Sequence, residues 1–399
     1  MTTAELRGTP PAGRFALAAA LCSNLGQTFF IGLFGSAFRA DFALSESELG
    51  LLYGVATLCS GLLMFWLGAI ADHLAMRRAI VVALLALAGG ALLLGVADST
   101  PLLFAALFVV RLAGQGIVGH LAVVAAGRYA IRRRGRAIAM TTYGFILGEA
   151  MFPPLVALAL GWISWRTVWL IAAGLLIMLA IPLLYRLARP LADPAPPVLA
   201  EGQIPVAQLR RRELLRDPLF WRVASILLMP PLVVTAIFLH QGTLAEMLGW
   251  PLPRVASGFV LYAACQGVFA FAGGRLVDLF SAQRLLRFSL LPAALGMLSL
   301  SFASPEFSLW LLFAGLGMSV GLNAVISGGI WVELFGSVQL GMIRGVYVAM
   351  MVLSTAIGPV LFGLLFDWQV SLLAIGLGVL VYAVVVPLVV VPGIRAARG

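Results

Sequence analysis

Apolar residues fall in runs of twenty or more, separated by short stretches where charge and proline collect. A helix needs about 20 apolar residues to cross a ~30 Å hydrocarbon core. The runs predict twelve such helices, over 14–39, 48–71, 78–97, 101–127, 137–160, 166–188, 220–244, 254–277, 284–303, 305–331, 342–365 and 370–392. Connections are short except 189–219, where Pro-rich RPLADPAPP and Arg-rich QLRRRELLRDP divide the pattern into six helices and six. The expectation is an all-α membrane protein with one bundle over 1–188, a cytoplasmic linker over 189–218 and a second bundle over 219–399.

Composition agrees with lipid as the main solvent. Hydrophobic residues make up 62% of the 399, with mean hydropathy +1.06, beyond the half-apolar composition of soluble domains. The net charge of +10 is a matter of topology. All 26 basic residues are arginine, and with a cytoplasmic N-terminus all except Arg39, Arg111, Arg166 and Arg254 fall in inner loops or at the inner interface, as the positive-inside rule requires. They are scattered over loops and form no basic surface, so no nucleic-acid partner is expected. The first apolar run is longer than a signal-peptide core and contains Asn24, Gln27 and Thr28, so it is expected to stay as a span. Cys22, Cys59 and Cys265 all lie within spans, without metal-like spacing, and read as buried thiols.

Several function classes lose their support. Without lysine there is no Walker-type phosphate loop, and there is no Cys/His constellation or Gly-x-Ser-x-Gly elbow. No cofactor, metal or enzyme activity is expected. A membrane sensor on the same fold is the alternative from another class; it would be favoured by an added signalling domain or long cytoplasmic tail, and neither is expected from these residues.

An internal repeat orders what remains. Gly68, Asp72 and Arg78 of GAIADHLAMRR recur as Gly274, Asp278 and Arg284, each 206 residues later. The same shift maps Gly135 onto Gly341 and Pro153 onto Pro359. Parallel repeats of six helices are how transporter folds build a site between two halves. On these residues the chain resembles the major facilitator superfamily over essentially its whole length. Gly68, Asp72, Arg77 and Arg78 match the family's turn between helices 2 and 3, although Ala75 stands where glycine is usual, and Gly274, Asp278 and Arg284 form a weaker second copy. The glycines are expected to permit close helix approach. The aspartates are expected to accept hydrogen bonds from arginines and a neighbouring helix N-terminus, forming a cytoplasmic gate latch.

Two ionisable residues stand at membrane depth, where they mark a functional site by default. Arg111 is ten residues into helix 4 and Glu149 twelve into helix 5, roughly 15 Å and 18 Å from the respective helix ends. Both are therefore near the midplane and able to pair. RLAGQG, residues 111–116, resembles the family's helix 4 signature tied to proton coupling, with Gln115 one residue later than usual. Glu149 is the expected proton carrier. Arg111 is expected either to pair with it, in a relay or as a packing device, or to bind an anionic substrate.

The resemblance implies that helices 1, 4, 7 and 10 line the cavity, which makes Asn24, Gln27, Thr28, Gln115, Thr235, His240, Gln241 and Asn323 candidate lining residues. His240 is expected near the outer mouth, as a proton-sensitive gate or an interfacial imidazole. Tyr53, Tyr143, Tyr262 and Gln266 are able to line a cavity, although a lone tyrosine on an apolar helix more often packs, and His120 reads as a packing residue ahead of a relay member. Pro230-Pro231 and Gly358-Pro359 are expected to break helices 7 and 11.

GQTFFIGLFG, GEAMFPP, SWRTVWL and IGPVLFGLLFD are similar to the bacterial branch near monocarboxylate and oxalate/formate carriers. That resemblance implies a monomeric, proton-coupled carrier of a small organic anion, working by alternating access in the bacterial inner membrane with both termini cytoplasmic. Its partners are then substrate, protons and lipid. A drug or metabolite exporter is the alternative, although the helix 5 segment lacks that group's Gly-Pro dipeptide.

Overall fold

A computed structural model describes residues 11–67, 74–130, 134–191, 211–336 and 340–396. All regular structure in them is helical: α1 (Pro11–Gly32), α2 (Glu46–Leu67), α3 (Met76–Gly95), α4 (Thr100–Arg128), α5 (Arg134–Leu160), α6 (Trp165–Leu187), α7 (Pro218–Leu239), α8 (Leu252–Phe280), α9 (Leu291–Ser299), α10 (Pro305–Phe335), α11 (Leu340–Asp367) and α12 (Leu372–Ala396). Among the described residues, eleven of these rods are long and apolar enough to cross a bilayer, α9 being the exception.

Local chemistry sets several helix starts. Residues SESE form a capping box: the Ser45 N–H donates to Glu48 Oε2 at 2.8 Å and the Glu48 N–H to Ser45 Oγ at 3.2 Å. Helix α2 therefore begins at Glu46, two residues before the expected span. Asp217 caps α7 through the Leu219 N–H, with Pro218 in the first turn.

The ninth predicted span, 284–303, is not one rod. A single helical turn (Ala282–Leu285), a 3-10 turn (Leu286–Phe288) and α9 share it. Pro292 fixes the start of α9 and supplies no N–H, and the Ala293 N–H, an orphan of the first turn, donates to Ser319 Oγ of α10 at 2.9 Å. Nine residues give only about 13 Å of helix.

The prolines of α7 and α11 behave differently. The rod of α7 is interrupted at Leu228 and resumes as Met229–Leu239, with Pro230 and Pro231 in the new first turn. Helix α11 continues through Pro359 without a break, contrary to the expectation from Gly358-Pro359. Packing of the flanking turns holds the helix where proline removes a single hydrogen bond.

The chain divides into two compact units, Met1–Leu44 with Leu51–Leu199, and Ser45–Gly50 with Ala200–Gly399. The first is filled by an aromatic chain in which Phe30 and Phe34 each lie 5.2 Å from Trp169 and Phe38 lies 5.0 Å from Trp165. The second packs Phe220, Trp331 and Tyr347 together, with ring centroids 5.3 and 5.4 Å apart. Large apolar side chains stay outside, among them Leu158 on α5, Met178 and Leu179 on α6 and Leu388 on α12. Apolar surface of this extent suits lipid and would be an aggregation hazard in water.

Beyond α1, Asp41 ties the first unit together. It accepts from Trp165 Nε1 at 2.9 Å and from Arg166, whose Nη2 also donates to the Ala97 carbonyl at 3.0 Å. The bonds from Trp165 and Arg166 hold the Asp41 carboxyl below its ordinary value.

Candidate functional site

The first unit contains a backbone break at the depth where Arg111 was expected. Helix α1 tightens into a 3-10 turn at Asn24–Gly26, and Gln27 is extended, with φ −82° and ψ 153°. Opposite it, α4 widens into a π-helical segment, Arg111–Val118, a deviation that recurs at functional sites. The two irregularities fit each other closely. A Cβ on Gly26 would stand 2.6 Å from both the Gln115 nitrogen and the Val110 carbonyl oxygen, so only glycine allows the contact.

The break leaves the Gly26 carbonyl outside the helical ladder, and Arg111 Nη1 donates to it at 3.0 Å. Arg111 Nε donates to Thr57 Oγ1 at 3.1 Å, and the guanidinium lies 4.9 Å from the Tyr53 ring centroid. The Tyr53 hydroxyl bonds Thr28 Oγ1 at 2.6 Å. Arg111 is 2% exposed, and all these neighbours are neutral. Tyr53, expected in packing or at a cavity wall, and Thr57, which the sequence did not single out, are thus part of the site.

The expected Arg111–Glu149 pair is not formed. Glu149 is half-buried on α5, with Oε2 enclosed and without a hydrogen-bond partner. Similar depth on two helices does not bring side chains together unless both are rotated toward each other. Asn24 is fully buried, its Nδ2 donating to the Ala20, Leu21 and Gly144 carbonyls at 3.1, 3.3 and 3.1 Å, so it fastens α1 to α5. Gln27 and Gln115 are half-buried on either side of the break.

In the second unit Asn323 Nδ2 donates to the Leu227 carbonyl, and Thr235 and Gln241 are buried along and just beyond α7. His240 is 1% exposed, where an imidazole at the outer mouth was expected. Its Nδ1 meets Glu46 Oε2 and its Nε2 the Pro359 carbonyl, each at 2.9 Å. No group of three or more His, Cys, Asp or Glu side chains among the described residues is arranged to hold a metal ion.

The family model of the Major Facilitator Superfamily matches residues 16–260 and 232–398, nearly the full chain. The chain belongs to the Major Facilitator Superfamily. It is therefore a multi-pass membrane transporter and not an enzyme. Among solved structures, the nucleoside transporter NupG is similar with 13% identity over 96% of this chain and 99% of its own, at a TM-score of 0.72. A bacterial homologue of the human lysosomal transporter Spinster, inward-facing and unoccupied, has 17% identity over 97% and 98%, at 0.70. Its occupied form has 17% identity over 98% of each chain, at 0.70. Curated proteins contain no match to the sequence.

Of the residues expected to form a cytoplasmic gate, Gly68 and Asp72 lie outside the described residues. Arg77 and Arg78 are exposed at the start of α3, with the Arg77 guanidinium 5.3 Å from the Tyr185 ring centroid. The second copy differs from expectation. Nothing approaches within 4 Å of where a Cβ on Gly274 would lie, so this glycine makes no close helix contact. Asp278 accepts no hydrogen bond among the described residues. Glu333, which the sequence reading missed, caps the Ala282 and Gln283 N–H groups at 2.7 and 3.2 Å. It lies at the far end of α10, so no local spacing linked it to the repeat. Arg284 remains exposed, its N–H on Ser281 Oγ at 3.4 Å.

Proposed function

We propose that this transporter is proton-coupled and carries a small organic anion, a monocarboxylate or close relative, by alternating access. In this reading Arg111 holds the anion and Glu149 carries the proton. The protein works as a monomer in the bacterial inner membrane, with both termini cytoplasmic.

The observation that supports the reading is a buried arginine at membrane depth with two neutral acceptors, a ring face and no carboxylate. An uncompensated cation there is costly. Two donor atoms of the guanidinium are engaged, leaving Nη2 and part of Nη1 for a ligand oxygen. Glu149 likewise has no fixed counter-ion, so its charge is open to neutralisation by a mobile proton. Separate, uncommitted charges suit cotransport better than a permanent ion pair would.

The test is proton movement in proteoliposomes containing a pH-sensitive dye, with monocarboxylates, nucleosides and cationic drugs supplied in turn. Wild type should move protons with a carboxylate. Glu149→Gln should exchange the anion without proton movement, and Arg111→Lys, which loses the fork, should raise KM about tenfold or more. Full proton-dependent uptake by Glu149→Gln removes the relay. Transport of nucleosides or drugs, but of no carboxylate, removes the anion.

A further inference from the structure

The start of α2 is held in the second unit by buried polar contacts. Residues Ser45–Gly50 belong to that unit, whereas α2 from Leu51 onward belongs to the first. Glu46 is 5% exposed. Its Oε2 meets His240 Nδ1 at 2.9 Å and its Oε1 accepts from Thr243 Oγ1 at 2.5 Å. Asp367 accepts the Glu46 and Ser47 N–H groups at 3.0 and 2.9 Å. A Cβ on Gly50 would stand 2.5 Å from the Pro359 carbonyl oxygen, the same oxygen that His240 Nε2 contacts.

These contacts determine the proton inventory. The Pro359 carbonyl carries no hydrogen, so His240 Nε2 must be the donor. The contact between Nδ1 and Oε2 then requires one proton, carried either by the imidazole or by the carboxyl. Without it, two lone pairs face each other in a buried site. With a second proton, Nδ1–H still donates to Oε2 while the carboxyl hydrogen on Oε1 turns to Thr243 Oγ1. Contact therefore survives acid and fails on the alkaline side.

We propose that Glu46 and His240 form a one-proton binding site, whose proton docks residues 45–50 in the second unit and whose release to solvent undocks them. Other charged groups at this end are Glu48, Glu246 and Asp367, and Arg254 paired with Glu306 at 3.2 Å. The ring also meets Phe366 edge-on, with centroids 5.5 Å apart. The site involves neither Arg111 nor Glu149, and it stands whether or not the cargo is an anion.

Amide hydrogen exchange of residues 45–50 in the full-length protein tests the site, from about pH 5 to about pH 10 and corrected for intrinsic exchange. Wild-type protection should fall about tenfold or more toward alkaline pH, reflecting loss of one charge-assisted hydrogen bond. Glu46→Gln should hold protection level with pH, because its amide donates to neutral Nδ1 without a titrating proton. His240→Ala should lower protection throughout. Glu149→Gln should keep the wild-type profile, which separates this site from the proton carrier proposed above. A flat wild-type profile, an unchanged alkaline fall in Glu46→Gln, or loss of the fall in Glu149→Gln would each overturn the proposal.

Discussion

Asn323 Nδ2 donates to the Leu227 carbonyl, the acceptor that Pro231 leaves without its helical donor four residues on. A proline costs its helix one hydrogen bond, and here a side chain from α10 replaces it. At 3.4 Å the bond is long, and polar bonds between membrane helices contribute about 0.6 kcal/mol on average and about 1.7 at most. Asn323→Leu should therefore lower stability by an amount near the smaller figure, measured by denaturant unfolding in detergent. Replacing Pro231 with alanine in the same background should recover part of the loss, because the Leu227 carbonyl regains a backbone donor.

Gly26→Ala is expected to have a larger effect. Its methyl would meet backbone atoms of α4 at 2.6 Å, and backbone does not yield as a side-chain tip does. Overpacking costs about 1–3 kcal/mol, and separating α1 from α4 also withdraws the Gly26 carbonyl from Arg111. Stability and transport should fall together. Gly89→Ala, with open space around its Cβ position, should be neutral or slightly stabilising in the same assay.

Asp41 gives a pH-dependent prediction. Trp165 and Arg166 depress its pKa below the ordinary value of 3.8, so the folded state binds its proton less readily than the unfolded one. The stabilisation is complete above that ordinary value and is lost as pH falls through the lower folded one. Being half-exposed, the carboxylate contributes less than about 1 kcal/mol. Asp41→Asn should lower Tm slightly at neutral pH, and the gap from wild type should close only in strong acid. A gap that stayed constant down to the acid limit would show that the side chain's shape matters, and its charge does not.

Residue type alone carried the fold. Crossing lipid demands about 20 apolar residues per helix, and that demand was legible in eleven spans, in the six-and-six division and in the 206-residue repeat. The ninth helix is segmented, because hydropathy counts apolar residues without registering that Pro292 and a bonded Ser289 separate one short helical piece from the next. Arg111 and Glu149 were recognisable as charges inside apolar runs, and their positions along each helix followed from counting residues.

What the sequence by itself determined is thus the quantity that adds up along a helix, about 1.5 Å of depth per residue. Partnership depends on rotation about the axis, and rotation is reset wherever the helix tightens, widens or breaks. The 3-10 turn at Asn24–Gly26 and the π-helical segment from Arg111 to Val118 do this, and the two lie against each other where α1 meets α4. Tertiary structure therefore decided that Arg111 faces Thr57, Tyr53 and a freed carbonyl, that Glu149 stands apart, and that His240 meets Glu46, 194 residues away.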